Sequence, residues 1–228
     1  MIANKKEFFG GFGLLIAFTV VLIIIFSPVF KGQNGLEYLD DLYNSISKGS
    51  AYYIPKVKAE TEKSMGRSVH VTLVMEDANQ ARQTSLLFMK GGALVNVSGA
   101  QLKVEGDLGK ILKNCLTDAD NMYNNDGPAI SDKYGYNERQ ALFNWWNALK
   151  LMDKDLKKQK KFSEAKAVSL VVKKAVECSY NYYQIEPQKI SERVGVVIFS
   201  LVFYVVYTLW YGFAVMFMFE GWGLRLEH

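Results

Sequence analysis

The chain has 228 residues, half of them hydrophobic, with a formal net charge of +4 and a mean hydropathy near zero. That average hides two populations, because residues 8–30 and 194–219 carry no charge and are almost wholly apolar. Each run exceeds the roughly 18 apolar residues that mark a membrane-spanning helix, so a soluble globular protein is excluded and an integral membrane protein is expected. Residues 31–193 hold 24 basic and 20 acidic side chains. This mild, mixed balance lacks the dense basic stripe of a phosphate-backbone binder, and nucleic acid is not expected as a partner.

Residues 1–7 read as a cytoplasmic N-terminus and residues 8–30 as the first transmembrane helix. The run is too long for the h-region of a secretory signal, and no small-x-small cleavage site follows Ser27-Pro28-Val29-Phe30, so it reads as an uncleaved anchor. Within it, Gly10-Gly11-Phe12-Gly13 suggests close helix packing. Two spans put both ends on one side. Lys5, Lys6 and Arg225 on the short flanks make that side cytoplasmic, although Lys189 and Arg193 oppose this reading.

Residues 31–193 then form an extracytoplasmic domain. The spacing of Leu36, Leu39, Leu42, Tyr43 and Ile46 predicts an amphipathic helix from Gly35 to about Lys48. A short helix is expected over Pro55–Met65, and the β-branched run Ser68–Met75 reads as a strand. Asp77 can N-cap a helix that runs to about Lys90 and stops at Gly91-Gly92. Ala93–Val97 and Ala100–Glu105 flank Ser98-Gly99, a link suited to a hairpin. Leu108, Ile111, Leu112, Cys115, Ala119 and Met122 predict a helix ending at the turn cluster Asn124–Pro128. Leu142, Trp145, Trp146, Leu149 and Met152 share a face of the next helix. Val168, Val171, Val172, Ala175, Cys178 and Tyr182 do so on the last, which stops near Pro187. The expected fold is a helix-rich α+β domain with a sheet of about three strands, flanked by two transmembrane helices.

Few of these residues point to chemistry. His70, the one histidine besides His228, lies in a strand, so neither a catalytic triad nor a multi-histidine metal site can be assembled in one chain. Cys115 and Cys178 are either core thiols or one disulfide. Asp118, Asp120 and Asp126 offer hard oxygen ligands, but their order does not fit a calcium loop, and helix-end roles are the better reading. No cofactor is expected. Lys154–Lys166 reads as a solvated helix end and turn. Trp145 and Trp146 are assigned mainly to the core and to helix packing, with an aromatic interface as the alternative. Tyr180, Tyr182 and Tyr183, about a dozen residues before the second span, are placed near the membrane interface.

The second span, residues 194–219, carries the most informative polar pattern. Ser200, Tyr204, Tyr207, Thr208 and Tyr211 recur at helical spacing as one stripe, and hydroxyls in hydrocarbon turn toward other helices or a water-filled path. The first span, with Thr19 and Ser27 alone, offers few partners, so second-span helices of neighbouring protomers are expected to meet along the stripe. Residues 220–228 read as a short cytoplasmic tail, with Leu226-Glu227-His228 as the start of a tag scar. The function expected is that of a non-enzymatic, homo-oligomeric protein of a bacterial inner membrane. Its outer domain would act as a scaffold or accessory module, assembling with itself or with other membrane-complex subunits. A homo-oligomeric channel or transporter component lined by the second span ranks next. An extracytoplasmic ligand sensor is third, since the short tail supplies no output domain.

Overall fold

A computed structural model describes residues 2–30 and 32–224, so Arg225 and the supposed tag scar lie outside the described residues. The chain forms two compact units, one comprising Lys48–Glu186 and the other the chain before Lys48 together with the chain after Glu186.

The second of these units is built on two helices long and apolar enough to cross a membrane, α1 (Lys5–Phe26) and α10 (Ile190–Trp222). Asn4 caps α1, its Oδ1 accepting from the Lys6 and Glu7 N–H groups at 3.1 and 3.4 Å. The helix ends at Phe26 rather than Phe30 because Pro28 forces Ser27 into extended backbone, with ψ 150°. At 33 residues α10 outlasts the expected span at both ends. At about 1.5 Å per residue it is about 50 Å long, against a hydrocarbon core of about 30 Å. It stops in a Schellman turn: Gly223, at φ 89°, donates to Glu220 O, and Leu224 donates to Phe219 O.

α1 and α10 run antiparallel, Asn4 donating to Gly221 O at one end and Phe18 packing on Tyr207 further along. Amphipathic α2 (Gly35–Ser50) follows α1 and starts in a capping box. There Asn34 Oδ1 accepts from Leu36 and Glu37 N–H, and the Glu37 carboxylate accepts from Asn34 N–H.

The other unit holds the expected three-stranded antiparallel sheet, ordered β1 (Ser68–Val74), β3 (Gln101–Asp107), β2 (Leu94–Ser98). Ser98 pairs with Gln101, so the hairpin link is Gly99-Ala100, one residue later than the sequence suggests, with Gly99 at φ 59°. One sheet face is apolar: Val69, Val71, Leu73, Leu102 and Val104 are buried. Helices α4 (Ala78–Lys90), α5 (Leu108–Tyr123) and α7 (Glu138–Lys158) pack against the sheet, and Asp77 and Asp107 cap the first two as N-cap acceptors. Short α3 (Ile54–Thr61) precedes β1 through a 3₁₀ turn, Glu62–Ser64.

Two further features depart from the sequence reading. The segment Asn124–Pro128 is a turn, but a further helix, α6 (Gly127–Tyr134), begins inside it. Its signature is local: Asp126 accepts from Ala129 N–H as N-cap, and Pro128 sits in the first turn. The last domain helix is also not one regular rod. It runs as α8 (Phe162–Val171), a π-turn (Val172–Val176) and α9 (Glu177–Tyr182). Ser179 and Tyr183 are buried in this segment, while Cys178 and Tyr182, expected on the core face, are half-buried against its edge.

Candidate functional site

The α1–α10 contact depends on glycine. A Cβ on Gly11 would lie 2.7 Å from Ala214 O and 2.8 Å from Met218 N, and one on Gly221 would strike the backbone of Phe8. Gly10 and Gly13 face open space, so only the central glycine of the cluster serves the packing. Phe18 stacks on Tyr207 at 4.2 Å between ring centroids, and Trp210 Nε1 donates to Leu14 O at 3.1 Å.

These contacts divide the hydroxyl stripe. Tyr207 faces α1, and its buried hydroxyl has no hydrogen-bond partner among the described residues. Ser200 is partnered by a helix outside the expected spans: its Oγ lies 2.7 Å from Tyr43 Oη of α2, and it donates to Val197 O. Tyr204 and Thr208 are left exposed beside the α1 contact, Tyr204 at 69%, and Tyr211 is 50% exposed with its ring 5.2 Å from that of Phe18. Thr208 spends its hydroxyl on Tyr204 O at 2.7 Å. Thr19 and Ser27 of α1 do the same with Leu15 O and Ile23 O, so neither is free to serve the stripe. Along α10 the exposed face therefore presents two tyrosines and a threonine with open space at neighbouring Gly212.

In the domain, the best-formed polar constellation surrounds Asp118, which is fully buried on α5. Lys133 Nζ lies 2.5 Å from its Oδ1, while Tyr134 Oη and Trp145 Nε1 donate to Oδ2 at 2.5 and 2.8 Å. Asn114 joins the cluster, accepting from Lys133 and donating to Tyr134 Oη. Burial, and then the Asp118 charge, pushes the Tyr134 hydroxyl far above the usual phenol range. The carboxylate has its charge matched and both oxygens occupied, which makes this a structural pair that fixes α5, α6 and α7 together. Lys133 and Tyr134 escape the sequence reading because α6 does.

Asp118, Asp120 and Asp126 do not converge. Asp120 pairs with Lys58 at 2.5 Å and accepts from Tyr52, and Asp126 caps α6. No cluster of three metal-ligating side chains occurs among the described residues. Cys115 and Cys178 are free thiols, so the disulfide alternative is not realised here. Cys115 is fully buried, and burial pushes its thiol well above the ordinary range. Cys178 is half-buried against the edge of the core, and its Sγ donates to Lys173 O.

The aromatic residues separate in the same way. Trp145 is core, in edge-on contact with Phe88 at 5.4 Å. Trp146 is half-buried against the edge of the core: its Nε1 donates to Glu177 at 2.9 Å, and Lys150 sits over its ring at 4.0 Å. Tyr183 is buried and donates to Glu138, with Arg139 over its ring. Tyr182 is half-buried and packs edge-on to Tyr123; Tyr180 is exposed. His70 is a surface residue, 3.4 Å from Glu105 across the β1–β3 pair. The basic run Lys154–Lys166 is the end of α7, a turn with Lys160 at φ 62°, and the start of α8. No protein family, characterised protein or solved structure matches the chain.

Proposed function

We propose that the protein is a non-enzymatic integral membrane protein of a cell membrane, oligomeric through the exposed face of α10, with a domain that binds a partner. The single observation that carries this reading is the division of the α10 stripe. α1 takes Tyr207 and one side of the Tyr211 ring, Tyr204 and Thr208 are left outward, and no side chain of α1 is bonded to the hydroxyls of Tyr204, Thr208 or Tyr211 among the described residues. In hydrocarbon the Tyr204 and Tyr211 hydroxyls gain from a protein partner, and exposed Gly212 allows a second helix to approach closely. The non-enzymatic reading is supported by the Asp118 cluster, whose charges are matched and whose acceptors are filled.

In this reading α1 and α10 cross the membrane, Lys5 and Lys6 hold the termini in the cytoplasm, and the Lys48–Glu186 unit lies outside it. Disulfide trapping tests the interface. With Cys115 and Cys178 replaced by Ser, Thr208→Cys should form a cross-linked dimer on mild oxidation in native membranes. Val202→Cys, exposed elsewhere on α10, should not. Equal trapping at both positions, or at neither, rejects this face as the interface.

A further inference from the structure

Within the Lys48–Glu186 unit, a cleft of about 790 Å³ opens between the 3₁₀ turn after α3, the C-terminal half of α7, and α8 with its π-turn. Six basic side chains line it, Lys63, Arg67, Lys157, Lys166, Lys173 and Lys174, against the carboxylates of Glu60 and Asp153. Three of the six are committed: Lys157 pairs with Asp153 at 2.6 Å, Arg67 donates to Ser163 and lies 3.5 Å from Glu164, and Lys174 sits over the Tyr53 ring. The ammonium groups of Lys63, Lys166 and Lys173 have no ion pair or hydrogen bond among the described residues, and all three residues are exposed. The positive end of α8 adds to the same field. That helix starts at Phe162 without a side-chain cap, and Phe162 and Ser163 line the cleft. The π-turn is part of the wall, because Lys173 and Lys174 belong to it.

We infer that this cleft binds an acidic peptide segment of a partner protein. The inference rests on the partner-binding half of the function proposed above and gives it a chemistry. Charge complementarity calls for an anion. The arrangement favours a chain of carboxylates over a compact phosphate for three reasons. The free cations are lysines spread over three elements rather than converging on one point. The one guanidinium, which would supply a bidentate fork, is already engaged. An extended peptide also brings N–H donors toward the Glu60 and Asp153 carboxylates of the same wall, which a compact dianion lacks. Phe162, 65% exposed, together with Ala167 and Leu170, provides apolar contact between the charges.

The test uses the full chain in nanodiscs of phosphatidylcholine and a fluorescein-labelled peptide of alternating Glu and Leu, read by fluorescence anisotropy. The wild type should bind with an affinity that falls as salt rises. Reversal of the free cations by Lys63→Glu, Lys166→Glu and Lys173→Glu should weaken binding by about tenfold or more. The matched reversal of Lys90, Lys103 and Lys113, exposed outside the cleft, should leave it within about twofold. Conversion of the three cleft lysines to Gln gives a milder variant that should lose part of the affinity with an unchanged melting curve. Equal loss in the two charge-reversed proteins, no binding by the wild type, or displacement by inorganic phosphate at constant ionic strength would overturn the inference. Preferential competition by phosphatidylglycerol vesicles would overturn it too, assigning the cleft to lipid. The nanodisc particle mass is read in the same samples, so that loss of peptide binding with the oligomer intact counts against the cleft alone.

Discussion

Gly11 of α1 faces the Ala214 carbonyl of α10 so closely that a Cβ at Gly11 would stand 2.7 Å from that oxygen. Gly11→Leu should therefore force the helices apart and lower stability by about 1–3 kcal/mol, the usual cost of overpacking. Gly10→Leu and Gly13→Leu, at positions facing open space, should be tolerated. Thermal unfolding of the detergent-solubilised variants separates the three. Equal destabilisation by all would mean that the cluster acts through helix flexibility rather than contact.

Asp118 supports a second prediction. Lys133→Met leaves a fully buried carboxylate without its counter-charge and should cost about 3–5 kcal/mol. Trp145→Phe removes one donor from Oδ2 and should cost about 1–3 kcal/mol. Urea unfolding followed by far-UV circular dichroism gives both values. A double variant Asp118→Leu, Lys133→Met less destabilised than Lys133→Met alone would show the penalty to be that of the uncompensated charge.

Legibility in the sequence depends on whether a signal is local. Hydrophobic spacing places the helices around Leu108–Met122 and Leu142–Met152, and β-branched residues with a turn place all three strands. The π-turn leaves no mark in composition. Val168 through Ala175 read as regular helix, and Cys178 and Tyr182, expected on its core face, are half-buried at the edge of the core while Ser179 and Tyr183 are buried. The hydroxyl stripe is legible as a pattern, but its partners are not. Ser200 meets Tyr43 of α2 and Tyr207 meets Phe18 of α1, contacts between residues far apart in the chain. The lysines of the cleft are likewise scattered from Lys63 to Lys174, and only the fold gathers them.

Alkaline stability is set by the buried tyrosines of the domain. Burial pushes the Tyr123 and Tyr136 hydroxyls up to about 12, and Tyr134 higher still. An unfolded tyrosine ionises near 10, so above that pH the unfolded state releases protons that the folded state keeps, and stability falls as pH rises toward 12. Lys48 acts in the opposite sense, since burial lowers its ammonium and the cost of holding it charged is relieved at high pH. Tyr52, Tyr183 and both thiols are shifted in the same direction as these three tyrosines, against Lys48, so the net effect expected is loss. The folded protein should show phenolate absorbance for the exposed tyrosines first. The remainder should appear only with the loss of circular dichroism.

Topology and thiol burial are checked together. In a Cys178→Ser background, Asp132→Cys is exposed, while Cys115 is buried with its thiol raised. An impermeant maleimide should label Asp132→Cys in intact cells, with Cys115 modified only after denaturation. Labelling that requires permeabilisation would place the domain in the cytoplasm and reverse the orientation proposed.

The outward face of α10 as the site of assembly is tested most directly by native mass spectrometry of the full chain in mild detergent. Tyr204→Leu, Thr208→Leu and Tyr211→Phe are combined in one variant that leaves Ser200 and Tyr207 with their intramolecular contacts and keeps a ring against Phe18. Interhelical hydrogen bonds average only about 0.6 kcal/mol each, so single replacements should have little effect and the triple variant should dissociate. The account predicts a wild-type oligomer and a monomeric triple variant. A wild-type monomer, or a triple variant that keeps the full oligomer, would contradict it.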